Sequence, residues 1–240
     1  VNLNSIKRNF KKNLFCTNNF EYVKKVDVII LCLPTPLTRQ YKPDLSYIKG
    51  TLKNIFPYLK KNQVISLEST TYPGTTDEVI YSKLKKKFSI GKNFYLIYSP
   101  ERDDPGNKVK NFYVPRLVSG KTKKCLNLAN AIYNKIFQKL VSTRDMRTAE
   151  TAKLFENVFR SINIGLVNEM KKICHKMNID IHEIINAAST KPFGFSKFLP
   201  GPGLGGHCIP IDPFYLSWKA KKFNIDTKFI NLAGRINRSM

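Results

Sequence analysis

The sequence predicts an α/β protein in which a doubly wound parallel sheet precedes a helical region. Short apolar, β-branched runs alternate with stretches of helical spacing over the first two-thirds of the 240 residues. Continuous apolar runs are typical of strands buried on both faces, and their alternation with helices favours a parallel sheet. After residue 145 the alternation stops, and one long helical pattern spans residues 146–177.

The elements of the sheet follow in chain order. We expect strands at 27–34, 63–70, 94–100, 116–120 and 139–143, and helices at 45–59, from 75 to about 86, and at 123–138. Thr75 and Thr76 follow a Pro-Gly turn and are suited to capping the second helix. Ligands of such sheets bind beyond the carboxyl ends of the strands, which here are the polar segments 34–36, 68–74 and 99–107.

The helical region contains three predicted helices, at 146–177, at about 181–189 and from 213 to about 223. A loop rich in glycine and proline precedes the last of them. We therefore divide the chain into a sheet domain, residues 1–144, and a helical domain, residues 145–240.

Composition limits the function classes. The five cysteines are scattered and none has metal-ligand spacing, so we predict neither a disulfide framework nor a metal site and expect a reducing cytoplasm. The longest apolar runs fall well short of the roughly 20 residues that a membrane-spanning helix needs. We therefore expect no membrane partner.

The net charge of +24 raises the alternative of a basic nucleic-acid-binding protein. The lysines, however, are spread along the whole chain in short pairs and triplets, without a basic tail or an aromatic recognition motif. This distribution favours compositional bias over a nucleic-acid interface. A locally positive site for an anionic nucleotide stays open.

The segment PGPGLGGHCIPIDPFYL, residues 200–216, contains an apparent dinucleotide fingerprint at Gly201, Gly203 and Gly206. A true fingerprint leaves a strand and enters a helix. Here prolines follow at 210 and 213, so we interpret the match as accidental. The glycines instead predict a tight loop that presents Cys208, and His207 beside it does not complete a metal site.

The chain contains five short motifs, which follow one another in this order: PTP at 34–36, EST with PGT at 68–75, SPE at 99–101, K-L-x-x-N with N-E at 153–169, and G-G-x-C-x-x-x-D at 205–212. With these motifs the chain resembles the UDP-glucose/GDP-mannose dehydrogenase family from about residue 20 to its end. The resemblance implies a partial Rossmann-like NAD-binding domain followed by a central helical dimerisation domain.

Two further segments, SPERDDPGN and KPFGF, resemble the branch that oxidises UDP-N-acetylhexosamines, closest to the UDP-N-acetyl-D-glucosamine 6-dehydrogenases. In the UDP-glucose branch a lysine precedes the aspartate of the cysteine loop, whereas this chain has Ile211 there. UDP-glucose and UDP-N-acetylmannosamine stay open as alternative substrates.

The resemblance implies an NAD-dependent double oxidation of the sugar C6 alcohol to the carboxylate, in polysaccharide biosynthesis. Cys208 would attack the intermediate aldehyde, and the thiohemiacetal would be oxidised to a thioester that water cleaves. Taken alone, a single cysteine is more typical of a small buried apolar side chain.

Other site residues follow from the same resemblance. Lys153 would stabilise the oxyanion, Asn157 and Asp212 would position water and proton transfer, and Thr70 and Glu101 fall at matched active-site positions. The hydroxyls of Thr35 and Thr70 would contact NAD. Without the resemblance, a solvated polar stripe of one helix face is the more typical interpretation of Lys153 and Asn157, and Glu101 could be a loop or cap residue.

Two expectations concern the whole protein. The helix at 146–177 carries more apolar residues than one core-facing stripe needs: Leu154, Phe155, Val158, Phe159, Ile162 and Leu166. We therefore expect a homodimer through this helix. The chain also lacks the family's first strand with its glycine fingerprint and the second α/β domain that binds UDP. We expect it to be a fragment that is poorly soluble and forms no NADH by itself.

Overall fold

The computed structural model describes residues 14–102, 113–206 and 209–240. Five strands form one sheet in the order β1-β2-β3-β4-β5. Their bounds are Val28–Leu31 (β1), Val64–Leu67 (β2), Tyr95–Tyr98 (β3), Arg116–Gly120 (β4) and Leu140–Ser142 (β5). The predicted α/β class is confirmed, and each predicted strand is present, β4 at its predicted bounds and the other four with shorter ends.

Seven α-helices surround and follow the sheet within the described residues. They are α1 (Ser46–Ile55), α2 (Ser82–Leu84), α3 (Lys123–Tyr133), α4 (Met146–Met177), α5 (Ile181–Ala188), α6 (Asp212–Lys221) and α7 (Lys228–Arg238). A π-helical segment, Thr76–Tyr81, leads into α2, and 3₁₀ turns occupy Phe20–Lys25 and Phe56–Tyr58. Helix α7 and the first 3₁₀ turn were not predicted.

The expectation of a parallel sheet is wrong for one pair of strands. β1, β2 and β3 are parallel, and so are β4 and β5, but β4 runs antiparallel to β3, with Ile97 opposite Gly120. The chain enters β4 at the edge of the sheet where it leaves β3. A short apolar run predicts a strand but contains no signal for its direction. The reversal places Arg116, the first residue of β4, at the carboxyl edge of β1–β3.

The core lies on both faces of the sheet. Along β2, Ile65 and Leu67 face the cluster formed with α1, α4 and α6, while Val64 faces the cluster formed with α3. All four residues of β2 are buried, which agrees with its continuous apolar run. Since α4 contributes Met146 and Leu154 to the first cluster, the long helix is packed against the sheet.

The bounds predicted for α4 are confirmed because both ends carry strong local signals. The Asp145 carboxylate accepts a hydrogen bond from the Thr148 N–H at 2.8 Å, as expected of an N-cap. At the other end Asn178 adopts the left-handed conformation, with φ of 54°, and closes the helix.

The predicted threonine cap of the second helix is wrong. The Thr75 hydroxyl donates to the Tyr72 carbonyl at 2.8 Å and does not cap. The N–H groups of Gly74 and Thr76 donate instead to the carboxylate of Glu150, on α4. A distant side chain has taken the capping role, which local sequence reasoning has no means to detect.

Candidate active site

A cavity of about 380 Å³ opens at the carboxyl ends of β1, β2 and β3. Its walls come from four separate parts of the chain: Cys32, Leu33, Pro34, Thr35, Glu68, Ser69, Thr70, Glu101, Ile211 and Asp212. Four of the predicted site residues, Thr35, Thr70, Glu101 and Asp212, therefore line one cavity. A larger cavity of about 820 Å³, lined by lysines beside α1, contains none of them.

The side chain of Arg116, which is 2% exposed, contacts the two glutamates of the cavity wall. Its guanidinium forms ion pairs with Glu101 and, at 2.5 Å, with Glu68, and it donates to the hydroxyl and the carbonyl of Ser99 at 2.9 Å each. The Tyr133 hydroxyl also donates to Glu68, at 2.5 Å. Two carboxylates are thus held at the cavity by one buried cation.

Cys32 is exposed at the cavity wall, with its sulfur 4.0 Å from a Glu68 oxygen. Partial desolvation raises the pKa of its thiol, and the negative charge of Glu68 raises it further. The thiolate is the nucleophilic form of cysteine. The raised pKa disfavours the thiolate form of Cys32.

Lys153 and Asn157 occupy one face of α4 together with Ser161, and the structure buries all three, at 9%, 8% and 3% exposed. A solvated polar stripe is thus excluded. The Asn157 amide donates to the Asp212 carboxylate at 2.5 Å, which brings two predicted site residues into contact across 55 positions of sequence. Among the described residues no hydrogen-bond acceptor is found for the Lys153 ammonium.

Glu150 lies on the same helix and was missed by sequence reasoning. Its fully buried carboxylate accepts hydrogen bonds from the Gly74 N–H at 2.5 Å, the Thr76 N–H at 2.8 Å and the Thr76 hydroxyl at 2.6 Å. Burial raises the pKa of Glu150 to about 7, against these hydrogen bonds, which lower it. Its position one turn before Lys153 was the only signal in the sequence.

Helix α6 contacts two of the loops that form the cavity, the one that carries Thr35 and the one that carries Thr70. The buried Tyr215 hydroxyl lies 2.9 Å from the Thr35 carbonyl oxygen and 3.2 Å from that of Pro36, to which it can donate. Trp218 packs on Tyr72, with 4.9 Å between ring centroids. The loops that carry Thr35 and Thr70 are therefore anchored to the helical region.

The glycine loop contains neither strand nor helix over residues 191–206, so the context of a dinucleotide fingerprint is absent there. Gly203 has φ of +102°, and a Cβ on it would lie 2.5 Å from the Asn237 carbonyl oxygen. Asn168 accepts from the Gly201 N–H at 2.9 Å and donates to Asn237 at 3.0 Å. The predicted nucleophile Cys208, with His207, lies outside the described residues.

The described part of the chain contains no cluster of three or more histidine, cysteine, aspartate or glutamate side chains suited to a metal ion. Nor does any of its helices have the length and apolarity to cross a membrane.

Replacing Arg116 by methionine should strongly destabilise the protein. The substitution leaves Glu68 and Glu101 without their buried cation, at an expected cost of about 3–5 kcal/mol in the free energy of unfolding. Arg144→Met is the matched control, because Arg144 is 92% exposed and its ion pair with Asp145 is worth about 1 kcal/mol or less. Urea unfolding of both variants measures the difference, and equal losses would contradict a buried charge network.

The chain is similar to known proteins over most of its length. Residues 3–137 match the NAD binding domain, and residues 147–239 the central domain, of the UDP-glucose/GDP-mannose dehydrogenase family. A UDP-N-acetyl-D-mannosamine dehydrogenase of Methanocaldococcus jannaschii is 38% identical over 221 residues, which are 90% of this chain and 49% of the relative. A UDP-N-acetyl-D-glucosamine 6-dehydrogenase of Pseudomonas aeruginosa is 35% identical over 228 residues, 93% of this chain and 54% of the relative.

Among solved structures, the UDP-D-ManNAc dehydrogenase from Pyrococcus horikoshii superposes with a TM-score of 0.85 at 35% identity. The match covers 92% of this chain and 52% of that structure. The chain thus spans about half the length of the relatives it matches. It belongs to the UDP-glucose/GDP-mannose dehydrogenase family.

Proposed function

We propose that this chain contributes the catalytic residues of an NAD-dependent UDP-N-acetylhexosamine 6-dehydrogenase. The observation that carries the proposal is the hydrogen bond between Asn157 and Asp212, at a cavity lined also by Thr35, Thr70 and Glu101. It holds Asp212, the first residue of α6, against α4 at a cavity whose other walls come from the carboxyl edge of the sheet. The proposed boundary between the two domains lies at 144/145.

The residues present fit the cofactor. NAD, when bound, supplies the acceptor for the hydrides of both oxidations. The partly exposed side chains of Thr35 and Thr70 lie at the ends of two parallel strands, where a doubly wound sheet binds its ligands. They are the residues proposed to hold it.

The proposed chemistry of the second oxidation assigns a role to each site residue of this chain. The Cys208 thiolate adds to the C6 aldehyde carbon, and the Lys153 ammonium stabilises the oxyanion that forms. Loss of hydride from the thiohemiacetal gives the thioester, whose acyl–sulfur bond water then breaks. Asp212, oriented by Asn157, and Glu101, held by Arg116, are the carboxylates available to take the protons released.

UDP-N-acetylglucosamine is the proposed substrate, on the resemblance of residues 99–107 and 191–195. Ile211 lines the cavity where the UDP-glucose branch has a lysine, which disfavours UDP-glucose. UDP-N-acetylmannosamine is the second candidate, because relatives of similar identity carry that name. NADH formation with each of the three sugar nucleotides, in a protein of the relatives' length that includes this chain, decides among them.

A homodimer through α4 is proposed as well. Leu154 and Val158 are buried in the core, whereas Phe155, Phe159 and Leu166 on a neighbouring face of the helix are 65%, 48% and 56% exposed. Such a second apolar stripe on one helix is typical of a surface that another molecule covers. A second copy of the same helix would present a matching stripe.

Introducing a charge into this stripe should abolish the dimer. Phe159→Glu places a carboxylate in an apolar contact, where its desolvation is unfavourable. We expect a dimer for the unmodified protein and a monomer for this variant in sedimentation velocity. Phe229→Glu, at a position 76% exposed on α7, is the control that should stay dimeric. A monomeric unmodified protein, or a dimeric Phe159→Glu variant, would refute the interface.

Cys208→Ser should abolish turnover in the protein of the relatives' length. A serine hydroxyl is a far weaker nucleophile than a thiolate, so we expect a loss of several powers of ten, on the order of 4 kcal/mol of barrier or more. Affinity for the UDP-sugar should change little, because Cys208 acts on the reacting carbon.

Cys16→Ser serves as the control and should keep most of the activity, because Cys16 is exposed and does not line the cavity. Steady-state NADH formation and UDP-sugar affinity are the measurements. If Cys208→Ser kept more than about a tenth of the turnover, a loss under roughly 1.4 kcal/mol, Cys208 would not be the nucleophile.

A further inference from the structure

We propose that Glu150 is a positioning residue of the site: its buried carboxylate fixes the loop that carries Thr70 against the helix that carries Lys153 and Asn157. The inference rests on the proposed function. It adds a residue that touches neither substrate nor cofactor and acts through the loop it holds.

The loop needs such a partner. Gly74 lies four residues after Thr70, with φ of +99°, and Thr76 begins the π-helical segment. The first N–H groups of a helix have no partner within it. At this site Glu150 is 0% exposed, so water does not replace it as acceptor for these groups.

Because Glu150, Lys153 and Asn157 lie on one helix, fixing the loop at Glu150 also fixes its distance from the other two residues. At a rise of about 1.5 Å per residue, Lys153 lies about 4.5 Å and Asn157 about 10 Å along the axis from Glu150. All three face the same buried side of α4. A displacement of the loop from Glu150 would therefore change the separation of Thr70 from both residues.

The alternative is that Glu150 only stabilises the fold. The isosteric Glu150→Gln variant separates the two roles, because it retains one acceptor oxygen and replaces the other by an NH₂ group. In the variant, the amide oxygen of the glutamine faces Thr76, which supplies two donors. The NH₂ group then faces the Gly74 N–H, and two donors form no hydrogen bond with each other. The variant should fold and should release the loop at one defined hydrogen bond.

Hydrogen exchange of single amides tests the contact in a protein of the relatives' length that includes this chain. We expect the Gly74 amide to exchange at least about tenfold faster in Glu150→Gln than in the unmodified chain, and the Thr76 amide to change less. Glu183→Gln, an exposed acid on α5, is the control and should leave both unchanged. Unchanged exchange at Gly74 in Glu150→Gln would overturn the proposal.

Kinetics test the consequence in a protein of the relatives' length. Glu150→Gln should lower kcat about tenfold or more, with little change in KM for the UDP-sugar, since the loop is displaced while the nucleotide still binds. An unchanged kcat beside a loosened Gly74 amide would mean a structural role and overturn the proposal.

Two arms keep the test decisive. If Glu150→Gln does not fold, Thr76→Val removes one of the same three hydrogen bonds from the loop side and should raise exchange at Gly74 and lower kcat by smaller factors. Unchanged values in that variant would overturn the proposal. If the unmodified protein oxidises no UDP-sugar, the proposed function fails, and the exchange result alone supports or overturns the contact.

Discussion

The site depends on hydrogen bonds that join the carboxyl edge of the sheet to helices α4 and α6. Where parallel strands end, their loops present N–H and C=O groups that no neighbouring strand satisfies. In this chain buried side chains of the two helices satisfy them: Glu150 binds the N–H groups of Gly74 and Thr76, and Tyr215 lies within hydrogen-bond distance of the carbonyl of Thr35. Because the loops are held from outside the sheet, the site exists only where both parts of the chain meet.

Charge imposes the second constraint. Glu68 and Glu101 both lie at the cavity, and two carboxylates that close repel each other unless a cation lies between them. Arg116 supplies that cation because β4 runs against β3 and begins at the cavity edge. The reversed strand thus has a chemical consequence, since a parallel β4 would begin at the opposite edge and leave the pair uncompensated.

The sequence predicted most of the fold but only part of the site. The bounds of α4 could be predicted because its helical repeat of apolar residues extends over many turns and because Asp145 and Asn178 cap its two ends. Thr35, Thr70 and Glu101 could be expected near one another because the carboxyl ends of parallel strands share an edge. The direction of β4 could not, since pairing direction is set by the path between strands and leaves no local pattern.

The missed residues share one cause, which is that each acts through a contact distant in sequence. Glu150 meets its partners across 76 and 74 positions, Arg116 meets Glu68 across 48, and Tyr215 meets Thr35 across 180. Their residue types do not distinguish Glu150, Arg116 and Tyr215 from the other glutamates, arginines and tyrosines of the sequence. The resemblance to a family points to the residues proposed to touch substrate, whereas the structure reveals the contacts that hold their loops in place.

Trp218, the single tryptophan of the chain, allows the most direct test, because it packs on Tyr72 where helix and loop meet. Urea unfolding followed by its fluorescence and by far-UV circular dichroism reports this contact and the whole fold, respectively. If the sheet edge and the helices form one cooperative unit, the two midpoints coincide. A fluorescence transition at distinctly lower urea would mean that the helices separate from an intact sheet, and would contradict a site assembled between them.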